Sequence, residues 1–445
     1  MKKNLKRMTA FLLGAAMLVG AVGCGNSSSS GKTSDGGDNY VPGELTGELT
    51  VQCFINENGT GEDLWQKIFD DFEADNPELE LTVHMGPTVN SELSKTWLSG
   101  KNTPDVVVIA GKGLSEYALS SAGAFMDMKD WFETATVYGS DTKIADIVNS
   151  GQVEEYEGHL YKVPRSASCY GLWYSDTKMQ QMGIEVHKNF DELMANGKTL
   201  LDKDMASILY PGQYANYLVW GMIMPAIGAY GQDFFDEVVS GENPEIYRDE
   251  RFKAVLGRLK DVADTGYIAK GVGSLDHLGA QSSWLKYNAA YMATGTWVED
   301  EMKREIPTNF NMKYTAAGLN LADQKPCVPL ITSGVAVSAV TENIANAKAF
   351  LSFLYKPEYI SGLGVSGDMS VYTDNNAINP ESYSDVAKSV VDYINSDEVT
   401  VVYKTKDWGD VGEEMNNVAN GLAVGSIKTV DEACERLVKV AEGNK

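Results

Sequence analysis

The sequence predicts an α/β protein built on a mostly parallel sheet with helices on its faces. Strand-like runs at residues 48–55, 79–83 and 106–109 alternate with an apolar helical repeat at 64–72. Apolar runs of this kind are typical of parallel strands that are buried on both faces. The length of 445 residues and the apolar fraction of 43% leave room for about two or three domains.

Further elements follow along the chain. A strand is predicted at 170–175, leading to a helix that begins at Asp176, and a strand followed by a turn is predicted at 288–297. An amphipathic helix is predicted at about 341–355. Residues 429–432, with the sequence Thr-Val-Asp-Glu, have the capping-box pattern that opens a final helix.

The first residues have the layout of a bacterial export signal. Four basic residues precede an apolar run at 8–22 that is short for a bilayer span. The run ends in Ala-Val-Gly-Cys24, which resembles the cleavage box of lipoproteins, although Ala21 stands where that box usually has leucine. The resemblance implies that residues 1–23 are removed and that Cys24 carries the lipid. The alternative is ordinary secretion, with Cys24 incidental.

The segment after the cleavage box is a predicted tether, because residues 24–44 are rich in Gly, Ser, Asp and Thr. Removal of residues 1–23 takes away four of the 37 basic residues and none of the 62 acidic ones, so the mature formal net charge is −29. This charge argues against a nucleic-acid partner. Acidity mainly keeps a protein soluble and does not by itself indicate a cation site.

The cysteines and histidines predict neither a metal site nor a cofactor. Their spacings match no metal-ligand pattern, and we expect the cysteines after Cys24 to be buried single thiols, although disulfides are permitted outside the cell. The histidines are scattered singly, and we expect them at the surface or in loops. The residues concerned are Cys53, Cys169, Cys327, Cys434, His84, His159, His187 and His277.

From about residue 45 to the end, the sequence resembles the family 1 extracellular solute-binding proteins, the group that includes maltose-binding protein. The resemblance lies in motifs that occur in the family's order. Two positions depart from the family pattern, since Ser175 replaces an asparagine and Tyr291 is inserted. The motifs are the strand–loop–helix opening at 48–72, Thr-Pro-Asp-Val-Val at 103–107, Glu-Gly-His-Leu-Tyr-Lys-Val-Pro at 157–164 with Leu-Trp-Tyr-Ser at 172–175, Ala-Ala-Tyr-Met-Ala-Thr-Gly-Thr-Trp at 289–297, and Ala-Lys-Ala-Phe-Leu at 347–351.

The resemblance implies a two-lobed periplasmic-binding-protein-like fold of type II, with a mostly parallel sheet and flanking helices in each lobe and a cleft at the hinge. Each lobe is then discontinuous in sequence. Lobe 1 is expected to comprise residues 45–165 and 331–372, and lobe 2 residues 166–330 and 373–445. The crossings are expected near 164–167, 329–332 and 369–374.

Aromatic residues are the first candidates for ligand binding, because a sugar offers apolar C–H faces to flat rings. Trp297 follows a Gly-Thr turn that presents a ring to the cleft in the family; the alternative is a packed tryptophan. Tyr217 matches a cleft-facing tyrosine of the family. Trp220 has a core alternative, and Trp408 lies in a Gly/Asp-rich stretch. Tyr170 faces either the cleft or the core, because a shift of one residue in the strand register exchanges the two faces.

Polar candidates come from the two loops that follow predicted strands, since ligands of such sheets bind beyond the carboxyl ends of strands. Glu57 and Asn58 lie in the first loop and Lys112 lies in the second. Asn58 is equally explained by a local turn, and Lys112 by a solvated surface position. Asp105 is expected to brace the start of its strand.

The resemblance implies a binding protein and no enzyme. The expected function is the capture of a sugar for an ATP-binding-cassette (ABC) importer, and the expected kind of sugar is an oligosaccharide. The lobes are expected to close around the ligand. The expected partners are the carbohydrate, the importer's membrane permease and the membrane, reached through the lipid. The expected state is a monomer on the outer face of the cell membrane of a Gram-positive bacterium.

Two other functions remain open from the residues alone. A protein of the same fold that binds a polyamine or another cation would suit the acidic charge, but it needs converging carboxylates and few stacking rings. A surface-anchored oligosaccharide hydrolase needs paired carboxylates, and 62 acidic residues supply chance pairs. The sequence contains neither Gly-x-Ser-x-Gly nor His-Glu-x-x-His.

Overall fold

The computed structural model describes residues 40, 42–55, 61–97, 100–101, 103–109, 116–365, 368–372 and 383–443, without the side chains of 92–95. The described residues all belong to one compact unit. The positions of Cys24, Glu57, Asn58 and Lys112 lie outside the described residues.

The strands are distributed along the whole described chain. They are β1 (Gly47–Phe54), β2 (Leu79–Gly86), β3 (Val106–Ile109), β4 (Val163–Ser175), β5 (Ala206–Leu209), β6 (Ala289–Gly295), β7 (Met312–Thr315), β8 (Cys327–Val337), β9 (Met369–Ser370) and β10 (Thr400–Tyr403).

The helices occupy the connections between strands and the end of the chain. They are α1 (Glu62–Asp75), α2 (Val89–Trp97), α3 (Glu116–Ser121), α4 (Lys129–Thr134), α5 (Ile144–Ile147), α6 (Asp176–Met182), α7 (Phe190–Leu201), α8 (Asn216–Leu218), α9 (Met224–Gly228), α10 (Gln232–Ser240), α11 (Glu250–Asp264), α12 (His277–Leu285), α13 (Val298–Met302), α14 (Ile344–Phe353), α15 (Pro357–Gly362), α16 (Asp385–Ile394), α17 (Gly409–Ala423) and α18 (Val430–Gly443).

The opening elements confirm the predicted strand–helix–strand pattern. β1 pairs in parallel with β2 along its whole length and with β3 at Val51 and Gln52. Helix α1 buries Trp65, Ile68 and Phe69, which belong to the predicted apolar repeat. Burial of one helical face against a sheet is the packing that such a repeat favours.

The sheet is mixed because two long strands run against their neighbours. β4 pairs antiparallel with β8 over Val163–Cys169 and then with β6 and β7 from Tyr170 and Leu172 onward. β8 pairs in parallel with β10 at its start and antiparallel with β3 at its end. The prediction of parallel pairing therefore holds for β1–β2, β1–β3 and β5–β6.

The two long strands join two sheets. The first sheet contains β2, β1, β3 and the end of β8, and the second contains β5, β6, β7 and the end of β4. The short strand β9 also pairs with β4, at Ser166 and Ala167. Three segments of chain therefore lie side by side where one sheet gives way to the other.

Asp105 braces the start of β3, as predicted. Its carboxylate accepts hydrogen bonds from the Thr50 backbone N–H at 2.7 Å, from the Thr341 hydroxyl and from the Asn343 amide at 3.3 Å. The side chain thereby ties β1 and the segment before α14 to β3.

The cysteines confirm the prediction of single buried thiols, since Cys53, Cys169, Cys327 and Cys434 are all free and buried. His187 lies in a loop between α6 and α7, which is within the expectation for the histidines, but its side chain is buried and only 1% exposed. Its ring packs edge to face against Tyr291 at 4.6 Å and its Nε2 bonds to the Ala317 carbonyl at 3.0 Å. Isolated histidines carry no periodic signal that would separate a buried one from a surface one.

Within the described part of the chain, no helix has the length and apolar character needed to cross a membrane. In the same residues, no cluster of His, Cys, Asp and Glu side chains is arranged to hold a metal ion.

Candidate ligand-binding site

The aromatic residues singled out in the sequence meet in one cluster, although they come from distant parts of the chain. Tyr170 lies in β4 where that strand leaves β8 for β6. Tyr217 lies in α8, and Trp220 lies in the π-helical turn Val219–Ile223 that follows it. Trp297 precedes α13, and Trp408 precedes α17.

Tyr170 is the centre of the cluster. Its ring centroid is 4.9 Å from Trp297 at an interplanar angle of 89°, and 5.5 Å from Tyr217 at 80°. Trp297 and Tyr217 are themselves 6.0 Å apart at 83°. Edge-to-face packing of this kind fixes ring orientation through the quadrupoles of the rings. The three rings therefore form a preorganised aromatic surface.

The cluster has an outer and an inner layer. Tyr170, Tyr217 and Trp297 are partly exposed, whereas Trp220 and Trp408 are buried. Trp220 lies 6.5 Å from Tyr170 and 5.3 Å from Trp408. The outer rings are the ones that a ligand can reach in this structure, and the inner tryptophans support them.

The position of Trp297 depends on Gly295. The last residue of β6, Gly295 pairs with Tyr170 across the strands, and a Cβ atom added to it would lie 2.3 Å from the Trp297 ring. The backbone N–H of Thr296 donates to the Cys169 carbonyl at 3.1 Å and holds the turn against β4. The indole therefore folds back over its own strand and reaches the Tyr170 ring.

The phenols of the outer layer stay protonated. Burial raises the pKa of Tyr170, the negative charge of Glu301 raises it further, and a hydrogen bond with Asn216 opposes them. Burial is also the main cause of the raised pKa of Tyr217. A neutral phenol both donates and accepts hydrogen bonds. The outer layer therefore offers ring faces and two hydroxyls of this dual kind.

A second group of polar side chains, which the sequence did not predict, lies at the carboxyl end of β3. The Lys162 ammonium donates to Glu154 at 2.7 Å and to Glu116 at 3.0 Å. Lys404, which follows β10, donates to Glu154 at 3.3 Å and to the Tyr117 hydroxyl at 2.9 Å. All of these side chains except Lys404 line a small pocket together with Tyr156 and Tyr161.

The charges in this group are mutually compensated. Burial alone raises the pKa of Glu154, but the ammonium groups of Lys162 and Lys404 outweigh it and hold the pKa below its ordinary value. Lys162 directly precedes β4, and its side chain is only 9% exposed. A lysine is almost never buried unless it is paired, and the two glutamates supply that pairing here.

The site and the fold together define a class of protein. Two sheets joined by adjacent crossing segments, with a partly exposed aromatic surface at the junction, are the architecture of two-lobed solute-binding proteins. The family described as bacterial extracellular solute-binding protein matches residues 58–360. The chain belongs to this family, and it is therefore a binding protein and not an enzyme.

Several known proteins are similar to this chain. The diacetylchitobiose binding protein NgcE of Streptomyces coelicolor is 26% identical over 71% of this chain and 67% of its own. The multiple sugar-binding protein of Streptococcus mutans is 23% identical over 69% of this chain and 71% of its own. A solved structure of a chitin oligosaccharide binding protein, 18% identical, superposes with a TM-score of 0.71 over 89% of this chain and 98% of its own.

Proposed function

We propose that this protein is the extracytoplasmic solute-binding component of an ABC importer and that it captures an oligosaccharide. The observation that carries the proposal is the partly exposed aromatic surface of Tyr170, Tyr217 and Trp297 at the junction of the two sheets. The names of its relatives support it, since they bind diacetylchitobiose, multiple sugars or chitin oligosaccharides. A structural neighbour is described as an ABC substrate-binding protein in complex with cycloalternan.

The chemistry of the cluster suits a carbohydrate. Pyranose rings carry apolar C–H faces that pack on indole and phenol rings, and their hydroxyls pair with groups that both donate and accept. Tyr170 and Tyr217 supply ring and hydroxyl together, while Trp297 supplies the largest ring. Glu57, Asn58 and Lys112 remain proposed partners of sugar hydroxyls from the loops after β1 and β3.

The carboxylates beside the cluster favour a sugar over a polyamine or other cation. Glu299 accepts from Ser384 at 2.5 Å and Glu301 from Gln281 at 2.9 Å. Asp300 accepts from the Gly61 N–H at 3.2 Å and pairs with a lysine. Each of these three carboxylates already accepts from a protein donor, so among the described residues they do not form a converging acidic site for a cation.

We propose lobe boundaries from the crossing segments: residues 45–165 with 331–372, and residues 166–330 with 373–445. The aromatic surface then lies in lobe 2, and Asp300 beside it accepts a hydrogen bond from Gly61 of lobe 1. Ligand contacts made by both lobes favour the closed arrangement, because only that arrangement makes all of them.

We also propose that Cys24 carries a lipid that holds the protein on the outer face of the cell membrane. The support is the sequence of residues 1–24, with its basic start, apolar run and small residues before the cysteine. Two acyl chains on one cysteine suffice for firm anchoring, whereas one does not. The test is mass spectrometry of the membrane-extracted protein, and an unmodified Cys24 would contradict the proposal.

Substitution of Trp297 tests the binding site. We expect Trp297→Ala to weaken oligosaccharide binding more than tenfold, a loss of more than about 1.4 kcal/mol, because the variant removes the largest ring of the outer layer. Isothermal titration calorimetry against chitin, maltose and raffinose oligosaccharides measures the affinity. Urea unfolding establishes that the variant still folds cooperatively.

The matched control is Tyr230→Ala. Tyr230 is also partly buried, but its ring contacts Phe234 and Arg251 and not the cluster. We expect wild-type affinity from this variant. Equal affinity of Trp297→Ala and wild type would remove Trp297 from the site, and the absence of binding to every oligosaccharide by the wild type would contradict the proposed function.

A further inference from the structure

The short helix α13 carries three consecutive acidic residues, and each of them binds a different part of the molecule. Glu299 accepts the hydroxyl of Ser384, which also caps α16. Glu301 accepts from Gln281 in α12. Trp297 stands directly before α13 as its N-cap residue. Any force that orients this helix therefore also orients the Trp297 indole of the aromatic surface.

Asp300 connects α13 to the other sheet. Its carboxylate accepts the backbone N–H of Gly61, the N-cap residue of α1, at 3.2 Å. Helix α1 packs against β2 of the first sheet, whereas α13 packs against α12 beside the second sheet. The two partners are 239 residues apart in sequence. This hydrogen bond therefore spans the junction at which we propose that the ligand binds.

The environment of Asp300 makes the contact conditional on the distance between the sheets. The side chain is only 9% exposed, and its second partner is the ammonium of Lys303 at 2.9 Å. Helix α1 has no side-chain cap of its own, and the free N–H groups and positive end of a helix favour a carboxylate. If the sheets move apart, the carboxylate returns to water and the α1 terminus loses this acceptor.

We infer that Asp300 is a positioning residue that couples closure of the two lobes to the orientation of Trp297. Approach of α1 brings its terminal N–H to Asp300, which fixes α13 and holds the indole edge to face against Tyr170. Coupling of this kind is reciprocal, so a ligand bound on Trp297 favours the closed arrangement in turn. The inference rests on the proposed function, in which an oligosaccharide binds at Trp297.

The test compares Asp300→Ala with the wild type by calorimetry and by hydrogen–deuterium exchange of the purified protein. The probe is the oligosaccharide that binds the wild type most tightly. We expect the variant to bind about fivefold more weakly and to lose the ligand-induced protection of the peptide that contains the Gly61 N–H in its interior. We expect Asp300→Asn to have an affinity and a ligand-induced protection between those of Asp300→Ala and the wild type, because its amide oxygen still accepts the Gly61 N–H.

Asp191→Ala is the matched control, since Asp191 is an exposed acidic residue in the first turn of α7. It should keep the wild-type affinity and the wild-type protection at Gly61. The inference is overturned if Asp300→Ala keeps both the wild-type affinity and the wild-type protection. It is also overturned if the loss of protection at the Gly61 peptide is the same in the absence of ligand as in its presence. Failure of the wild type to bind any oligosaccharide would instead contradict the proposed function.

Discussion

The indole of Trp297 owes its place to the missing side chain of Gly295, because a Cβ atom there would lie 2.3 Å from the ring. The sequence pointed to Trp297 through the Gly-Thr-Trp turn, but the reason for the glycine became clear only with the structure. The register that places Tyr170 opposite Gly295 is a property of strand pairing and not of either sequence segment. The aromatic candidates were therefore predictable individually, and their mutual contacts were not.

The polar group of Lys162, Glu116, Glu154, Lys404 and Tyr117, here called the Lys162 group, could not be predicted from residue types alone. Lys162 directly precedes β4, Glu116 begins α3, and Lys404 is 250 residues away from Glu154. No local pattern relates such distant positions. The loop candidates Glu57, Asn58 and Lys112 and the lipidation site Cys24 stay predictions, because they lie outside the described residues.

Burial of His187 predicts a pH dependence of stability. Burial lowers the pKa of His187 from 6.5 to about 4, against the opposing hydrogen bond to Ala317. The unfolded chain binds this proton below pH 6.5 and the folded protein binds it only near pH 4. His187 therefore makes the free energy of unfolding fall as the pH drops through this window, by at most about 3 kcal/mol.

Substitution of His187 by glutamine tests this dependence. We expect the wild type to lose stability relative to His187→Gln between pH 6.5 and 4, as measured by urea unfolding at a series of pH values. The exposed His84 supplies the control, and His84→Gln should follow the wild-type curve. A constant difference between His187→Gln and wild type across the window would contradict the assignment.

At the scale of elements, the strongest local patterns gave the most accurate predictions. The apolar run of β3 and the repeat of α1 lie where the sequence placed them. β4 begins at Val163, well before the predicted strand at 170–175. The prediction missed this first part because Pro164 and Arg165 interrupt the apolar pattern and proline is disfavoured inside strands. Tertiary pairing with β8 extends the strand through these two residues.

The capping box before α18 is an element whose energy can be measured. The Thr429 hydroxyl accepts the backbone N–H of Glu432 at 3.1 Å, and the Glu432 carboxylate accepts the N–H of Lys428 at 3.2 Å. We expect Thr429→Ala to lower the free energy of unfolding by about 1 kcal/mol, because one N–H at the start of α18 loses its acceptor. Urea unfolding measures the difference.

Thr429→Ser is the control for this cap, because serine keeps the hydroxyl and is an equally good N-cap residue. It should unfold within about 0.5 kcal/mol of the wild type, the range typical of neutral surface changes. Equal losses in the alanine and serine variants would show that the methyl group of Thr429, and not its hydroxyl, stabilises the helix.

At the scale of the whole molecule, the chain passes between the two sheets along β4, along β8 and beside β9. The resemblance to the family predicted crossings near 164–167, 329–332 and 369–374, and these crossings and the lobe boundaries that follow from them stay a proposal. The Lys162 group lies at the same junction, since Lys404 hydrogen bonds through its backbone N–H to Leu330 of β8. It thereby connects the segment after β10 to the first sheet.

Removal of one cation from this group should destabilise the whole fold. We expect Lys162→Met to lower the free energy of unfolding by about 3 kcal/mol, because it leaves Glu154 and Glu116 near each other with less compensation in a buried setting. The double variant Lys162→Met with Glu154→Gln should recover part of the loss, since it also removes the buried negative charge. A double variant less stable than Lys162→Met would contradict the electrostatic explanation.

The pairing of β3 with β8 sets the order in which the two sheets can form during synthesis. Residues 106–109 find their partner only at 334–337, after every strand from β4 to β7 has been synthesised. We therefore expect the second sheet to mature before the first is complete on a ribosome or a translocation channel. Contacts of such long range slow folding, so completion of the first sheet is expected to be the slower step.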